Sequence, residues 1–162
     1  MLTNEVILDL FSRIENVVHK VLKDISDDDL TSRPSPEANT IAWLVWHLTR
    51  IQDDHIADLT GSTQVWDEWY EKFGFSFSKD ATGYGQSADE VAEVKASSKL
   101  LLAYFDAVNK QTVNYVKTLK TEDYSRIVDA NWEPPVTLAV RLASIISDDL
   151  QHAGQAAYIK GI

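Results

Sequence analysis

Cysteine is missing from all 162 residues of the sequence. Its absence excludes disulfide bonds, thiolate metal ligands and cysteine nucleophiles as parts of this protein. A thiol that takes part in the chemistry of this chain must therefore belong to a cofactor or to a substrate.

Long apolar runs are missing as well. No apolar stretch approaches the roughly 20 residues that a membrane-spanning helix needs, so no membrane partner is expected. The first residues, MLTNEVILDLFSRIENV, lack the basic region and the uninterrupted apolar stretch of a secretory signal. The sequence therefore predicts a cytoplasmic location.

Positive charge is scarce. The chain has 15 Lys and Arg residues against 25 Asp and Glu residues, which gives a formal net charge of -10. A surface of this sign repels the phosphates of nucleic acids, so a nucleic-acid partner is not expected. The charge excludes this class of partner without naming another, because acidic surfaces are common among soluble proteins.

The residues that are present suit one folded domain over residues 1–162. The chain is 44% apolar and 25% charged, which is ordinary for a folded protein, and its length fits one hydrophobic core. Five Trp, six Tyr and five Phe supply ample aromatic side chains for that core or for a pocket.

Four helical segments are predicted from apolar residues that recur every three or four positions. The segments cover residues 3–23, 39–59, 87–119 and 136–160. Gly61 suits the end of the second helix, and Ser87 with Glu90 forms a capping box at the start of the third. Residues 25–38 are rich in Asp, Ser and Pro and are predicted to be a loop, and residues 120–135 are polar. Without a strand signal, the pattern predicts an all-α, antiparallel four-helix bundle.

The connection between the second and third predicted helices is long and rich in aromatic residues. These are Trp66, Trp69, Tyr70, Phe73, Phe75, Phe77 and Tyr84. A short helix is predicted within it, around residues 64–73. Long connections of this kind often cover a functional site, and they equally often pack their aromatics on the bundle. The first interpretation predicts that residues 66–84 lie over the open end of the site.

The histidines occupy different positions on their predicted helices. At 100° per residue, His47 lies at the edge of the apolar stripe of the second helix, and His55 lies near its centre. His19 lies off the stripe of the first helix, so its side chain is predicted to face solvent. Taken alone, His47 and His55 would more often be hydrogen-bonded core residues than ligands.

The fourth predicted helix carries most of the side chains that suggest chemistry. Arg141, Asp148, His152 and Gln155 follow one margin of its apolar stripe. Asp148 and His152 are four positions apart, which directs a carboxylate and an imidazole from adjacent turns toward one point. Gly154 costs roughly 1 kcal/mol relative to Ala inside a helix, which suggests that a neighbouring helix or ligand approaches closely there.

An imidazole from a facing helix would complete a three-ligand metal site beside Asp148 and His152. Carboxylate and imidazole groups suit Zn, Ni, Fe or Mn. Three protein ligands leave coordination positions open for water or substrate, as in catalytic sites. The alternative is that the two residues form a surface ion pair, which is the commoner role of this spacing.

Two stretches resemble the motifs of the DinB/YfiT-like superfamily. They are residues 39–50, NTIAWLVWHLTR, and residues 148–161, DDLQHAGQAAYIKG. The resemblance covers essentially the whole chain and is closest to a branch of DinB-family proteins and mycothiol-dependent enzymes. It implies a four-helix bundle that binds a divalent metal, often zinc or nickel.

The resemblance also implies which residues bind the metal. The His of a His-Leu motif on the second helix corresponds to His47, and a pair just before Gly-Gln on the last helix corresponds to Asp148 and His152. Many members have His at the first position of that pair, whereas the similar thiol-dependent isomerases have a carboxylate there. The implied ligands are His47, Asp148 and His152, with His55 outside the ligand set.

The leading functional hypothesis from the resemblance is a metal-dependent thiol S-transferase or isomerase that acts on a small molecule. The thiol would be mycothiol or a bacillithiol-type cofactor, and the metal would lower the pKa of its sulfur. Arg141 could hold an anionic group of the substrate or cofactor, with Gln155 and His55 as further contacts. Arg50 is a weaker candidate and is expected to be solvated or ion-paired.

Two alternatives remain open. One is a metal-dependent hydrolase in which metal-bound water is the nucleophile and His55 or Asp54 acts as the base. The other is a non-enzymatic dimeric bundle whose metal is structural. A homodimer is expected mainly because relatives often dimerise, and also because the aromatic content exceeds what a small bundle must bury.

Overall fold

The computed structural model describes residues 3–161, and most of them are helical. The long helices are α1 (Thr3–Leu22), α3 (Ile41–Thr60), α6 (Ser98–Thr118) and α7 (Leu138–Lys160). The short elements are α2 (Asp27–Leu30), α4 (Tyr70–Phe73), α5 (Ala88–Glu93), 3-10 helices at Val65–Glu68 and Thr121–Ser125, β1 (Ile127–Asp129) and β2 (Val136–Thr137). The prediction of an all-α helical bundle is confirmed.

Three of the long helices begin at a hydroxyl side chain. Thr40, Ser97 and Thr137 each accept a hydrogen bond from the backbone N–H three residues on, which satisfies one of the unpaired donors of the first turn. Helices α3 and α7 end at Gly61 and Gly161, which have the left-handed conformation that a helix end favours. These caps explain why the limits of α3 and α7 lie close to the predicted ones.

Helices α1 and α3 occupy opposite corners of the bundle, and each packs against both α6 and α7. Side chains at the centre include Phe11, Ile14, Leu48, Phe105, Leu142 and Ile145. Burying one such side chain stabilises the fold by roughly 1.5–3 kcal/mol. Among the described residues, no helix is both long enough and apolar enough to cross a membrane.

Helices α1 and α7 run in the same direction. Lys160 Nζ, at the end of α7, donates hydrogen bonds to the carbonyl oxygens of Lys20 and Lys23, at the end of α1. The two C-terminal ends therefore lie side by side. The bundle combines this parallel pair with antiparallel neighbours, so the antiparallel arrangement predicted from the sequence does not hold for α1 and α7. Apolar spacing does not fix helix direction, because long connections let successive helices cross the bundle.

The region predicted as one helix over residues 87–119 forms two helices. The capping box of Ser87 and Glu90 is present, but it starts only the short helix α5. Val94 leaves the helical conformation (φ -74°, ψ 87°), and Ser97 provides a new N-cap for α6. Because Val94 is nonetheless buried, apolar spacing continues across the break and hides it.

The two segments that join predicted helices at residues 25–38 and 120–135 contain regular structure. Residues 25–38 include α2, which is capped by Ser26 and buries Leu30. Residues 120–135 include β1, which pairs antiparallel with β2. Strands this short have too few positions to show an alternating pattern, which explains why the sequence shows no strand signal.

The aromatic connection packs mainly into the interior. Trp66, Phe73 and Phe75 are buried, and they contact Trp46 and Tyr104 with ring centroids 5.2 to 6.1 Å apart. Rings at these distances stabilise each other beyond the gain from burial alone. Of the two interpretations of the connection, the one in which its aromatics pack on the bundle is confirmed for these residues.

Candidate metal centre

Helices α3 and α7 bring the three predicted ligands together. The ring centroids of His47 and His152 lie 4.9 Å apart, and Asp148 Oδ1 lies 3.6 Å from His152 Nε2. One possible ligand atom from each residue lies within 4.8 Å of the other two. Residues from distant parts of the chain thus converge, and their role as ligands stays a prediction.

His47 is buried, and its ring is held by two neighbours. Nδ1 donates a hydrogen bond to the carbonyl oxygen of Thr82 at 2.5 Å, so the neutral ring carries its lone pair on Nε2. The Trp43 ring stacks on His47 with a centroid distance of 4.5 Å. Burial lowers the pKa of His47, although the hydrogen bond to Thr82 opposes this shift. The neutral imidazole is the form that binds a metal.

His152 is oriented in a similar way. Its Nδ1 lies 2.7 Å from Gln155 Oε1, and when that oxygen accepts the proton of Nδ1, Nε2 faces Asp148. Burial lowers the pKa of His152, but the hydrogen bonds with Asp148 and Gln155 and the charge of Asp148 raise it, and the net shift is upward. Gln155, predicted as a substrate or cofactor contact, therefore lies next to the centre with its side-chain oxygen on His152.

Asp148 is half-buried and has an oxygen without a partner. Among the residues that the structure describes, none hydrogen-bonds to its buried Oδ2. Burial raises the pKa of Asp148, but His152, His47 and His55 lower it more, and the net shift is downward. A buried polar atom without a partner costs about 1–3 kcal/mol, and a cation would satisfy this one. The three side chains thus fit a divalent metal in donor type and in charge.

Arg141 and His55 form a second polar group on the same two helices. Arg141 Nη1 lies 3.3 Å from His55 Nδ1, and Nη2 donates to Asp129 Oδ2 at 3.2 Å. Since a guanidinium only donates, Nδ1 of His55 is the acceptor. Burial, and then the charge of Arg141, lower the pKa of His55. His55 lies outside the group of three candidate ligands, and that it does not bind the metal stays a prediction.

Arg50 is buried and ion-paired, the second of the two situations expected for it. Its Nη1 donates to Gln64 Oε1 at 2.8 Å, its Nε donates to the carbonyl oxygen of Ala81 at 3.3 Å, and Asp53 Oδ2 lies 3.9 Å away. Asp54, the other candidate base, accepts a hydrogen bond from Gln64 at 2.7 Å. These side chains hold the connection in place on α3.

The prediction that a neighbouring helix approaches Gly154 closely is wrong for the described residues, and a close approach occurs at Gly83 instead. A Cβ atom at Gly154 would meet nothing within 4 Å, whereas one at Gly83 would lie 2.7 Å from His47 Nδ1 and 3.0 Å from Trp43. The last part of the connection therefore reaches the centre. That residues 66–84 lie over the open end of the site stays a prediction for the region as a whole. Thr82 and Gly83 lie against His47, whereas Trp66, Phe73 and Phe75 are buried in the core.

A second cluster of possible ligands lies on the surface between α1 and α6. Glu15, His19 and Asp106 also place ligand atoms within 4.8 Å of one another. His19 is exposed, as predicted, and its Nε2 lies 2.8 Å from Asp106 Oδ1. Sequence reasoning missed this cluster because Asp106 comes from a different helix, although Glu15 and His19 have the same four-residue spacing as Asp148 and His152.

The protein is a member of the DinB/YfiT-like superfamily, because a model of one of its families matches almost the whole chain, and this confirms the resemblance seen in the sequence. Within it, the chain belongs to the mycothiol-S-transferase family, whose model matches residues 7–162. The chain is also similar to a conserved protein from Enterococcus faecalis of known crystal structure. The two are 31% identical with a TM-score of 0.91, over 99% of this chain and 96% of that chain. No protein with a curated description matches the sequence.

Proposed function

We propose that this protein is a divalent-metal-dependent thiol S-transferase or isomerase that acts on a small molecule. The observation that carries the proposal is the convergence of His47, Asp148 and His152 in a member of the mycothiol-S-transferase family. Two imidazoles and one carboxylate suit zinc or nickel. Mycothiol or a bacillithiol-type cofactor would supply the sulfur that this cysteine-free chain lacks.

A bound divalent cation would polarise the sulfur of the thiol and lower its pKa, so that a thiolate is available near neutral pH. His47 and His152 would both offer Nε2, since each Nδ1 already has an oxygen partner. Asp148 would offset part of the positive charge through its unpartnered oxygen. With three protein ligands, the site keeps open positions for the thiol.

Arg141 is proposed to bind an anionic group of the substrate or of the thiol, with His55 beside it. Its Nε is buried and has no hydrogen-bond partner among residues 3–161, so the guanidinium has donor capacity to spare. A guanidinium can hold a carboxylate with two parallel hydrogen bonds. Arg141 lies two turns before Asp148 on α7, about 10 Å along the helix, a distance that a small molecule can span.

A transferase is better supported than a hydrolase. The hydrolase alternative needs His55 or Asp54 as a base, yet His55 Nδ1 accepts from Arg141 and Asp54 accepts from Gln64. A purely structural metal would give no role to the spare donor of Arg141. Both alternatives therefore rank behind a transferase.

We also propose that the protein is a homodimer. The exposed residues of α7 are Ala139, Val140, Ala143, Ser144, Ser147, Leu150, Gln151, Gly154, Gln155 and Tyr158. None of them is charged, although the chain has a formal net charge of -10. Two copies of the chain that pack through this face would not bring like charges together. Light scattering that shows a monomer at high micromolar concentration would contradict the dimer.

The cytoplasmic location and the lack of nucleic-acid and membrane partners stay predictions.

Metal analysis followed by a thiol-conjugation assay tests the proposal. Protein purified without a His tag should bind one Zn²⁺ or Ni²⁺ per chain, and it should conjugate mycothiol to a model electrophile only when loaded. His19→Ala is the matched control, because it disrupts the surface cluster and should change neither result. Metal-dependent turnover of an ester or amide without a thiol would favour a hydrolase, and metal binding without turnover would favour a structural role.

A further inference from the structure

We propose that residues 81–83, held in place by the buried Arg50, position the His47 ring and select its Nδ1–H tautomer. The biological purpose rests on the proposed function, in which His47 Nε2 binds the metal. The positioning itself is a property of the metal-free chain and can be measured there.

One stripe of α3 holds the two ends of the connection. Near the start of α3, Trp43 Nε1 donates to Gln86 Oε1 at 2.7 Å. Near its end, the Asp53 carboxylate accepts hydrogen bonds from the backbone N–H groups of Val65 and Trp66 at 2.9 and 2.7 Å. The connection thus runs back along α3 in the opposite direction, and its last part passes the candidate metal centre.

Between these ends, two consecutive carbonyl groups are held by residues one turn apart on α3. Arg50 Nε donates to the oxygen of Ala81, and His47 Nδ1 donates to the oxygen of Thr82. Arg50 is only 1% exposed, and its Nη1 is fixed by Gln64, so its guanidinium cannot turn toward water. Because a carbonyl oxygen can only accept, the fixed Thr82 carbonyl requires the proton of His47 to be on Nδ1.

Gly83 lets the backbone come this close to the ring. A Cβ atom there would lie 2.7 Å from His47 Nδ1, 3.0 Å from Trp43 and 3.2 Å from Trp46, and its φ of +98° disfavours any side chain. Gly85 also has a positive φ, +74°, but a Cβ atom there would meet nothing within 4 Å. Both glycines have a backbone conformation that disfavours other residues. Of the two, Gly83 is the one at which a side chain would collide with His47.

A ring fixed in this tautomer presents the lone pair of Nε2 without rearrangement. Removing a group that orients a metal-binding histidine typically weakens metal affinity by roughly 10- to 100-fold. The segment and Arg50 are therefore positioning residues for His47, and none of them needs to touch the metal or the substrate.

The experiment measures the tautomer of His47 by ¹⁵N NMR of the metal-free protein, at a pH where its imidazole is neutral. In the unmodified chain we expect the Nδ1–H form. Gly83→Ala should shift the ring toward the Nε2–H form and weaken Zn²⁺ binding by roughly 10- to 100-fold. Gly85→Ala should keep the tautomer and the affinity. Arg50→Lys should shift the tautomer in the same direction as Gly83→Ala, because lysine lacks the Nε donor.

A dominant Nε2–H form in the unmodified chain would overturn the proposal without any variant, even if Gly83→Ala fails to fold. Equal losses in Gly85→Ala and Gly83→Ala would also overturn it, because general strain in the connection would then be the cause. An Nδ1–H ring in a protein that binds no Zn²⁺ would support the positioning and refute the proposed function, so the two failures are distinguishable.

Discussion

Two clusters of the bundle offer similar ligands in very different surroundings. The inner cluster consists of His47, Asp148 and His152, and the outer cluster consists of Glu15, His19 and Asp106. Each cluster contains a carboxylate and an imidazole four residues apart on one helix, and each is completed by a residue from another helix. Spacing and proximity alone do not distinguish them.

The difference lies in what the surrounding residues do. In the inner cluster, both imidazoles use Nδ1 for a protein oxygen, and Asp148 keeps a buried oxygen that has no partner among residues 3–161. In the outer cluster, His19 bonds directly to Asp106 and both side chains are exposed to water. A site is thus marked by burial, which removes water as a partner, and by neighbours that orient each donor.

The largest expected effect is the loss of metal on changing Asp148. Asp148→Ala removes a ligand oxygen and a negative charge, so the bound metal should be lost. Asp148→His restores the arrangement commoner in the superfamily and should retain metal, with selectivity shifted toward metals that favour imidazole. Asp148→Asn keeps an oxygen but not the charge, so its affinity should be intermediate. Metal stoichiometry by mass spectrometry separates the three variants, and unchanged content in Asp148→Ala would refute the inner cluster as the site.

The second largest effect is expected at Arg141. Its proposed contact with an anion lies on α7, the helix that carries Asp148 and His152 of the inner cluster. Arg141→Ala should raise KM for an anionic substrate or for the thiol by roughly 10- to 100-fold, since a hydrogen bond to a charged group contributes about 1.5–3 kcal/mol. Its metal content should stay the same. Arg126→Ala is the matched control, because Arg126 is exposed and bonds to Tyr115. Steady-state kinetics that show equal KM in both variants would argue against the contact.

A smaller effect concerns the pH dependence of stability in the metal-free protein. Burial holds the pKa of His47 below 6.5, so the unfolded chain binds a proton that the folded chain rejects, and stability falls on acidification. The pKa of His152 is raised, so its contribution is present below the unfolded value and is lost as the pH rises through the folded value. His47→Gln should therefore flatten the acid-side loss of stability, and His152→Gln should steepen it. Urea denaturation over a pH series measures both effects, and a change of slope in the same direction in the two variants, relative to the unmodified chain, would contradict the assignment.

The smallest effect is expected at the outer cluster. His19→Ala and Asp106→Ala each break an exposed pair, which should change stability by less than about 1 kcal/mol. Neither variant should alter metal stoichiometry. Loss of a metal ion in either variant would show that exposure does not separate the two clusters as described.

The sequence predicts much of the helical scaffold and the convergence of the inner cluster. The ends of α3 and α7 follow from glycine stops and from apolar spacing, which are local signals. Asp148 and His152 follow from spacing within one helix. Adding His47 to them needed the resemblance to a family, because spacing on one helix says nothing about which other helix faces it.

The features that the sequence did not predict depend on contacts between distant segments. The break before Ser97 lies within a continuous apolar pattern, so periodicity cannot locate it. A close approach was expected at Gly154, but it occurs at Gly83. The sequence does not reveal this, because a glycine in a connection gives no sign of what packs against it. The sequence does not indicate that Arg50 is buried either, because its hydrogen-bond partners, Ala81 and Gln64, come from the connection.

The binding of the connection to one stripe of α3 has a consequence for local unfolding. Most of residues 61–86 have little regular secondary structure, and such segments usually open easily. Here the connection shares hydrogen bonds with Trp43, His47, Arg50 and Asp53, so releasing it also removes the partners of those side chains. We therefore expect the connection and α3 to unfold together as one cooperative unit. The candidate metal centre should then open as rarely as a helix of the bundle, and less often than a surface loop.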